Sequence, residues 1–453
     1  MILMQYKTRL ADKYKALTIC ILVVMAMINS VPCYGKGPLK SINKNSKTAK
    51  SNSKTNKNAK PMKDTSKKVY LTDEEALSFI KEMTKNEESY ELLNLVPSYN
   101  EIPEGYKAAY QMGDLDGSIA REVFIALKSG YIQITEKGLD YLCMLIMEEE
   151  ICHDESDFED WQKDSEIHEW CEFLTNEIKV RKSKHSLVFI GDCMFDRLSN
   201  NISALMKLQK QLHNVGVIHI KGNHDRMCIR YNRVSNAFNI PEDKRPSDSE
   251  TVNHIESVYM HAYYDPDSCC LYTHNGISKV EKMLELLNSY TGDDENIKGL
   301  AKELSGHSSE DLVCSGFGFI DYHPDNPKNF VEVLNGIPYD NAIFLPYLKS
   351  GTEIDDNGNA LKSSLNEMTL RGMTSFRIPH KDQFPCFENV ILVHGHSSNV
   401  SDNVLKILKA PNSDKSPEAF LKTGGVISIN SRYNGRMAAV ANVVIYKYKP
   451  GKK

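Results

Sequence analysis

A regular cysteine pattern is missing from this chain. Its eleven cysteines include Cys20 and Cys33 near the start, and the nine that follow are odd in number and irregular in spacing, which argues against a disulfide framework. Cys143 in YLCMLIM sits inside an apolar run, where a free thiol serves as a small buried hydrophobe. Long apolar stretches are scarce too. The uncharged, largely apolar run Ala16–Ile28 falls short of the roughly 20 residues a membrane span needs, and nothing indicates a multispanning membrane protein. Positive charge is what the body lacks most. Residues 1–35 and 36–68 are both basic, so the formal −5 of the whole chain leaves about −18 for residues 69–453. An acidic body argues against a nucleic-acid surface, which needs Lys and Arg where phosphates lie, so no nucleic-acid partner is expected. It suits bound divalent cations.

What is present begins with a leader. Lys7, Arg9, Lys13 and Lys15 precede Ala16–Ile28, and small residues follow near Ser30 and Gly35. Residues 1–35 therefore read as a signal peptide cleaved near Gly35, giving a secreted or periplasmic protein. An uncleaved N-terminal membrane anchor is the alternative. Residues 36–68 hold eleven lysines and one acid, Asp64, with almost nothing apolar. Such a segment cannot bury enough surface to offset its ordering entropy, and it reads as a basic disordered linker. A weak contact with an anionic membrane surface is a further expectation for it.

Folded structure should begin near Leu71, where Thr72 and Glu75 form a capping-box pattern before Ala76, Leu77 and Ile80. Beyond it, five strand-like runs end in polar clusters: KAAYQMGDLDG, SLVFIGDCMFDR, GVIHIKGNHD, CLYTHNGIS and VILVHGHSS. Amphipathic helices are expected between them at Ser118–Lys128, Asn201–His213 and Val280–Tyr290, and AAVANVVIYKYK adds a late strand. This order implies a layered α/β body. Residues 129–184, rich in Glu, Asp, Trp and Leu, read as an inserted helical cap. Its acidic run Glu148–Glu150 and its histidines His153 and His168 read as a solvated helix face, with metal binding as the sharper alternative.

The clusters carry the chemistry. Hydrolysing a phosphate ester near neutral pH needs a nucleophile, neutralised phosphoryl oxygens and a proton for the leaving alkoxide. Two metals about 3.5–4 Å apart supply the first two through a bridging water. Asp114, Asp116, Asp192, Asn223, His224, His274 and His396 offer the necessary carboxylates, imidazoles and amide, all at strand ends. Singly, an Asp after a strand is more often a turn former or helix cap, and a lone His more often structural than ligating. Five such clusters in order are harder to obtain by chance.

In this order the motifs resemble those of the calcineurin-like metallophosphoesterases, over roughly residues 106–445. The Asp-Arg pair, LRGMTSF around Arg371 and HGHSS, which lacks a G-H-x-H pair, bring the chain nearest to the phosphoprotein phosphatase branch. The resemblance implies a four-layer α/β/β/α sandwich over residues 69–453 and two divalent metal ions, Mn²⁺ first, with Fe, Zn²⁺ or Mg²⁺ as alternatives. It implies Asp114, Asp116 and Asp192 as ligands of one ion, and Asp192, Asn223, His274 and His396 as ligands of the other. His224 would protonate the leaving oxygen with Asp196 orienting its ring, and Arg197, Asn223 and Arg371 would hold the phosphate. The expected activity is hydrolysis of phosphate monoesters, on phosphoproteins, by a metal-bridging hydroxide. Two departures stand out. Asp116 occupies the family's usual His position, making that site harder and more anionic, and Asp192–Asp196 is one residue longer than the branch's pattern. A nucleotide polyphosphate hydrolase or phosphodiesterase on the same scaffold, and an inactive metal-binding module, are the competing readings.

Overall fold

A computed structural model of the chain describes residues 68–153, 155–225, 240, 245–279, 295, 298–299, 302, 312–315, 318–321, 327–336, 344–348, 353–354, 360–361, 368–372, 390–396, 426–429, 432–433, 436–437 and 440–447. The chain divides after Val69. The leader and all of the linker except Lys68 lie outside the described residues, as does the helix expected over Val280–Tyr290. Among the described residues no helix is long and apolar enough to cross a membrane.

The first helix, α1 (Asp73–Met83), starts as its sequence dictates, with Thr72 and Glu75 closing a reciprocal capping box and Ala76, Leu77 and Ile80 buried. The strand-like runs then build two sheets. In the five-stranded sheet, β1 (Tyr106–Met112), β4 (Ser186–Ile190), β5 (Ile218–Ile220) and β6 (Tyr259–Met260) run parallel. The late strand β11 (Ala441–Lys447) lies antiparallel on the outer side of β1, Tyr106 opposite Lys447 and Met112 opposite Ala441. In the four-stranded sheet, β9 (Ile391–His394) runs parallel between β8 (Cys270–Thr273) and β10 (Val426–Ser428), and β7 (Ala262–Asp265) forms the antiparallel edge.

Period-two alternation fixes what each face buries. Ala109, Val188, Ile190 and Ile220 of the first sheet meet Cys270, Tyr272, Ile391, Val393 and Ile427 of the second in one apolar cluster. Gln111 reaches across it to donate to the Tyr272 hydroxyl at 3.3 Å. Ala108, Tyr110, Met112, Leu187 and Phe189 face the other way, into the helices. Strands covered on both faces read as continuous apolar runs, and these do.

The helical side comprises α2 (Ile119–Lys128), α6 (Ile202–Asn214) and α7 (Asp248–Val258), begun by the N-caps Ser118, Asn201 and Ser247. Between α2 and β4, the short strands β2 (Ile132–Ile134) and β3 (Ile178–Val180) pair antiparallel. They bracket α3 (Glu136–Glu150), α4 (Glu155–Lys163) and α5 (Ser165–Asn176), whose buried residues belong to the same cluster as those of α2 and α6. The solvated face expected for 148–150 needs correction. Glu149 is 4% exposed and accepts hydrogen bonds from Tyr90 and Ser118, because the helix turns this carboxylate toward buried donors. On the second sheet, α8 (Pro327–Asn335) lies against β7, its Asn335 amide bonded to the backbone of His261 and Ala262. Cys143 is buried, and it, Cys152, Cys171, Cys193, Cys269 and Cys270 are free thiols.

Candidate metal centre

The polar clusters follow β1, β4, β5, β8 and β9, and the two sheets bring their ends together. Close approach is possible because the flanking glycines carry no side chain. A Cβ on Gly191, which has φ +86°, would stand 2.0 Å from His274 Nδ1, and one on Gly222 would stand 2.1 Å from Asp192 Oδ1. Asp116, Asp192 and His396 themselves have positive φ. Such backbone is costly for a residue with a side chain and persists where its surroundings impose it.

Two groups of donors converge, Asp192 with His274 and His396, and Asp192 with Asp196 and His224, each within 4.8 Å. Asp192 belongs to both. His274 sets the orientation of the first group: Nδ1 lies 2.8 Å from the Ile190 carbonyl, to which it donates, so Nε2 turns its lone pair toward Asn223 Oδ1 at 3.0 Å and Asp192 Oδ2 at 3.6 Å. Three acceptor atoms facing one another form a donor set that a divalent cation fits. The expected ligands Asp114 and Asp116 belong to neither group; Asp114 Oδ1 lies 3.8 Å from His274 Nδ1 and accepts the backbone N–H of His396 at 3.1 Å. The His274 and His396 rings lie 5.0 Å apart.

His394 belongs to neither group. Its ring is buried, Nδ1 is 2.9 Å from the Gly395 carbonyl, and burial pulls its pKa down to about 4. Of the two histidines in HGH, His396 is the one grouped with Asp192 and His274.

The proton-handling end is likewise assembled. His224 donates its backbone N–H to Asp192 Oδ1 at 2.9 Å, and its Nδ1 lies 3.8 Å from Asp196 Oδ2. The longer Asp192–Asp196 segment thus still brings Asp196 to His224. Arg197 Nη1 sits 3.4 Å from Asp196 and 3.8 Å from Asp116. Arg371 lies on a strand paired with Phe344–Leu348, opposite Leu345, and its side chain is outside the described residues.

Charge at the site is poised for cations. Burial pushes the carboxyls of Asp114 and Asp192 up to about 7, against the pull of nearby histidines. Burial, then Asp196, drives Asp116 well above the carboxylate range despite Arg121. Burial alone would disfavour a charged His224, but Asp192, Asp196, Asp116 and Asp114 outweigh it and raise the imidazole to about 9.

Sequence reasoning missed three supports. Asp225, the last residue of GNHD, accepts the backbone N–H groups of Gly222, Cys193 and Met194 at 2.9, 3.2 and 2.9 Å, tying the loops after β4 and β5 together. Its place in the motif was the available signal. Arg121, 1% exposed, donates Nη1 to Asp116 Oδ2 at 3.0 Å and Nε to Glu149 Oε2 at 3.3 Å. The added negative charge expected at Asp116 is therefore met by a buried guanidinium. Trp161 and Gln162 of α4 bond to the backbone of the loop that carries Asp196 and Arg197. Nothing local in the sequence marks the last two supports.

No protein-family model matches the chain, and no curated protein does. Among solved structures, the phosphatase domain from the Legionella effector WipB is similar at 17% sequence identity and a TM-score of 0.27, over 44% of this chain and 77% of that one.

Proposed function

We propose that the chain is a metallophosphoesterase, a hydrolase of phosphate esters that works with divalent cations. More narrowly, it is a phosphomonoesterase of the phosphoprotein phosphatase type, acting on phosphoproteins, on a four-layer sandwich in which α8 is the described helix of the outer layer. The observation that carries this reading is the convergence of carboxylate, imidazole and amide donors around Asp192, with the Asp196–His224 pair alongside.

In this reading Asp114, Asp116 and Asp192 hold one cation, and Asp192, Asn223, His274 and His396 hold the second. Two such ions, Mn²⁺ first and Fe, Zn²⁺ or Mg²⁺ as alternatives, would supply an activated water and neutralise the phosphoryl oxygens. The remaining work falls to side chains. The carboxylates around His224 favour its protonated form. Asp196 engages Nδ1 and leaves the Nε2 proton for the departing oxygen. Arg197 presents a fork of donors to two phosphoryl oxygens, Asn223 keeps its Nδ2 for a third contact, and Arg371 is the proposed second arginine. Residues 129–184 form the inserted cap. Export, secreted or periplasmic after loss of residues 1–35, belongs to the same proposal, and a mature protein retaining residues 1–35 would refute cleavage.

The test is hydrolysis of p-nitrophenyl phosphate by the full chain, stripped with chelator and resupplied with Mn²⁺. Turnover should depend on Mn²⁺, Asp192→Asn should abolish it, and His224→Ala should lower it about 10²- to 10⁴-fold. Preference for bis(p-nitrophenyl) phosphate would move the assignment to a phosphodiesterase. A folded, Mn²⁺-loaded protein with no turnover on either compound would leave a binding module.

A further inference from the structure

The loop after Asp192 carries both Asp196 and Arg197, and its backbone is held from outside by α4. Trp161 Nε1 donates to the Leu198 carbonyl at 2.9 Å. The neighbouring Gln162 Nε2 lies 3.3 Å from the Asp196 carbonyl and 3.2 Å from that of Arg197, donating to both. Three consecutive carbonyls are thus taken by two consecutive side chains. The loop answers in kind: Asn200 Nδ2 donates to the Trp161 and Asp164 carbonyls at 2.5 and 3.1 Å, and Asn201 Nδ2 donates to the His168 carbonyl at 2.9 Å.

Gln162 is 2% exposed, so its amide left water to make these bonds. The loop needs such support. It has no regular secondary structure over 191–200; Ser199 N–H to the Asp196 carbonyl, Asp196 N–H to Ser199 Oγ, Ser199 Oγ to the Met194 carbonyl and Arg197 N–H to Asp196 Oδ1 tie it internally, and Asp225 and the Asp116 carbonyl hold the N–H groups of Cys193, Met194 and Leu198 from outside. Bonds to consecutive carbonyls fix the backbone from which Asp196 and Arg197 project, relative to α4.

We infer that Gln162, seconded by Trp161, is a positioning residue that aims Asp196 at His224 and Arg197 at the substrate phosphate. The inserted segment 129–184 then acts as a buttress of the oxyanion-binding end. This rests on the phosphatase reading given above.

The test uses Gln162→Leu, which removes the donors at similar volume, and Gln162→Glu, which keeps the shape and removes the amide, in the full chain loaded with Mn²⁺. Calorimetric binding of inorganic phosphate is measured beside kcat and KM for p-nitrophenyl phosphate. Phosphate affinity and kcat/KM should each fall about 10- to 100-fold, with Mn²⁺ stoichiometry unchanged. A purely structural Gln162 would lower the melting temperature and leave phosphate affinity intact. Either folded variant with wild-type phosphate affinity and KM overturns the inference. A wild type that takes up Mn²⁺ yet neither binds phosphate nor turns over substrate overturns the phosphatase reading itself, and the inference with it.

Discussion

At Gly191 there is no room for even one methyl group, because His274 Nδ1 would lie 2.0 Å from it and the backbone holds φ at +86°. Gly191→Ala must therefore displace His274 or distort the turn before Asp192. The expected outcome is at least a roughly tenfold loss of Mn²⁺ affinity in a calorimetric titration, together with about 1–3 kcal/mol of stability. Unaltered Mn²⁺ binding would show that His274 is not a ligand. Asp225 is a second residue whose removal should matter. One carboxylate spans three backbone amides, so Asp225→Asn, with a single acceptor oxygen, should cost about 1.5–3 kcal/mol in urea unfolding.

Among the elements, α2 and α3 are joined to the site through a buried ion network. Arg121 bridges Asp116 and Glu149, and Glu149 also accepts from Tyr90 at 2.8 Å and from Ser118. Removing the cation strands two buried carboxylates. Arg121→Met should destabilise by about 3–5 kcal/mol, whereas a compensated Arg121→Met/Glu149→Leu double variant should recover part of that loss. Equal stability of the single and double variants would refute the coupling. This network also marks where the sequence stops being legible. Strands and the polar loops that follow them could be read because an apolar run followed directly by Gly and Asp, or by His and Gly, is a local pattern. Helices α2 and α6 begin where Ser118 and Asn201 said they would. Arg121–Glu149 and Gln162–Asp196 join residues far apart in the chain. Glu149 sits in a run of three acids, and composition alone gives no sign that the middle one turns inward. His396 could be named from the resemblance, but the positive φ that its turn adopts is announced by no residue type.

For the whole molecule, the carboxylate cluster makes stability depend on pH and cations together. Asp114 and Asp192 titrate near 7 in the fold against an ordinary 3.8. The folded state thus keeps protons that the unfolded chain releases, and stability falls as pH rises from about 4 to 7, on the order of 4 kcal/mol for Asp114 alone. His224 acts in the same direction: its contribution is complete below 6.5 and is lost as pH rises through about 9. On the proposed function, divalent cations would replace the missing protons. The melting temperature of the chelated protein should therefore be lower at pH 8 than at pH 5, and Mn²⁺ should raise it far more at pH 8. A chelated protein that gains stability between those two pH values would contradict this account.

The late strand β11, laid along β1, has a consequence in time. Asp114 reaches its neighbour His396 across 282 positions of chain, and β1 finds its antiparallel partner only at 441–447. While the chain is still emerging from the ribosome, the first sheet has an open edge and the donor cluster lacks its last imidazole. The cluster around Asp192 is therefore complete only once the chain has been made as far as His396, 282 residues beyond Asp114.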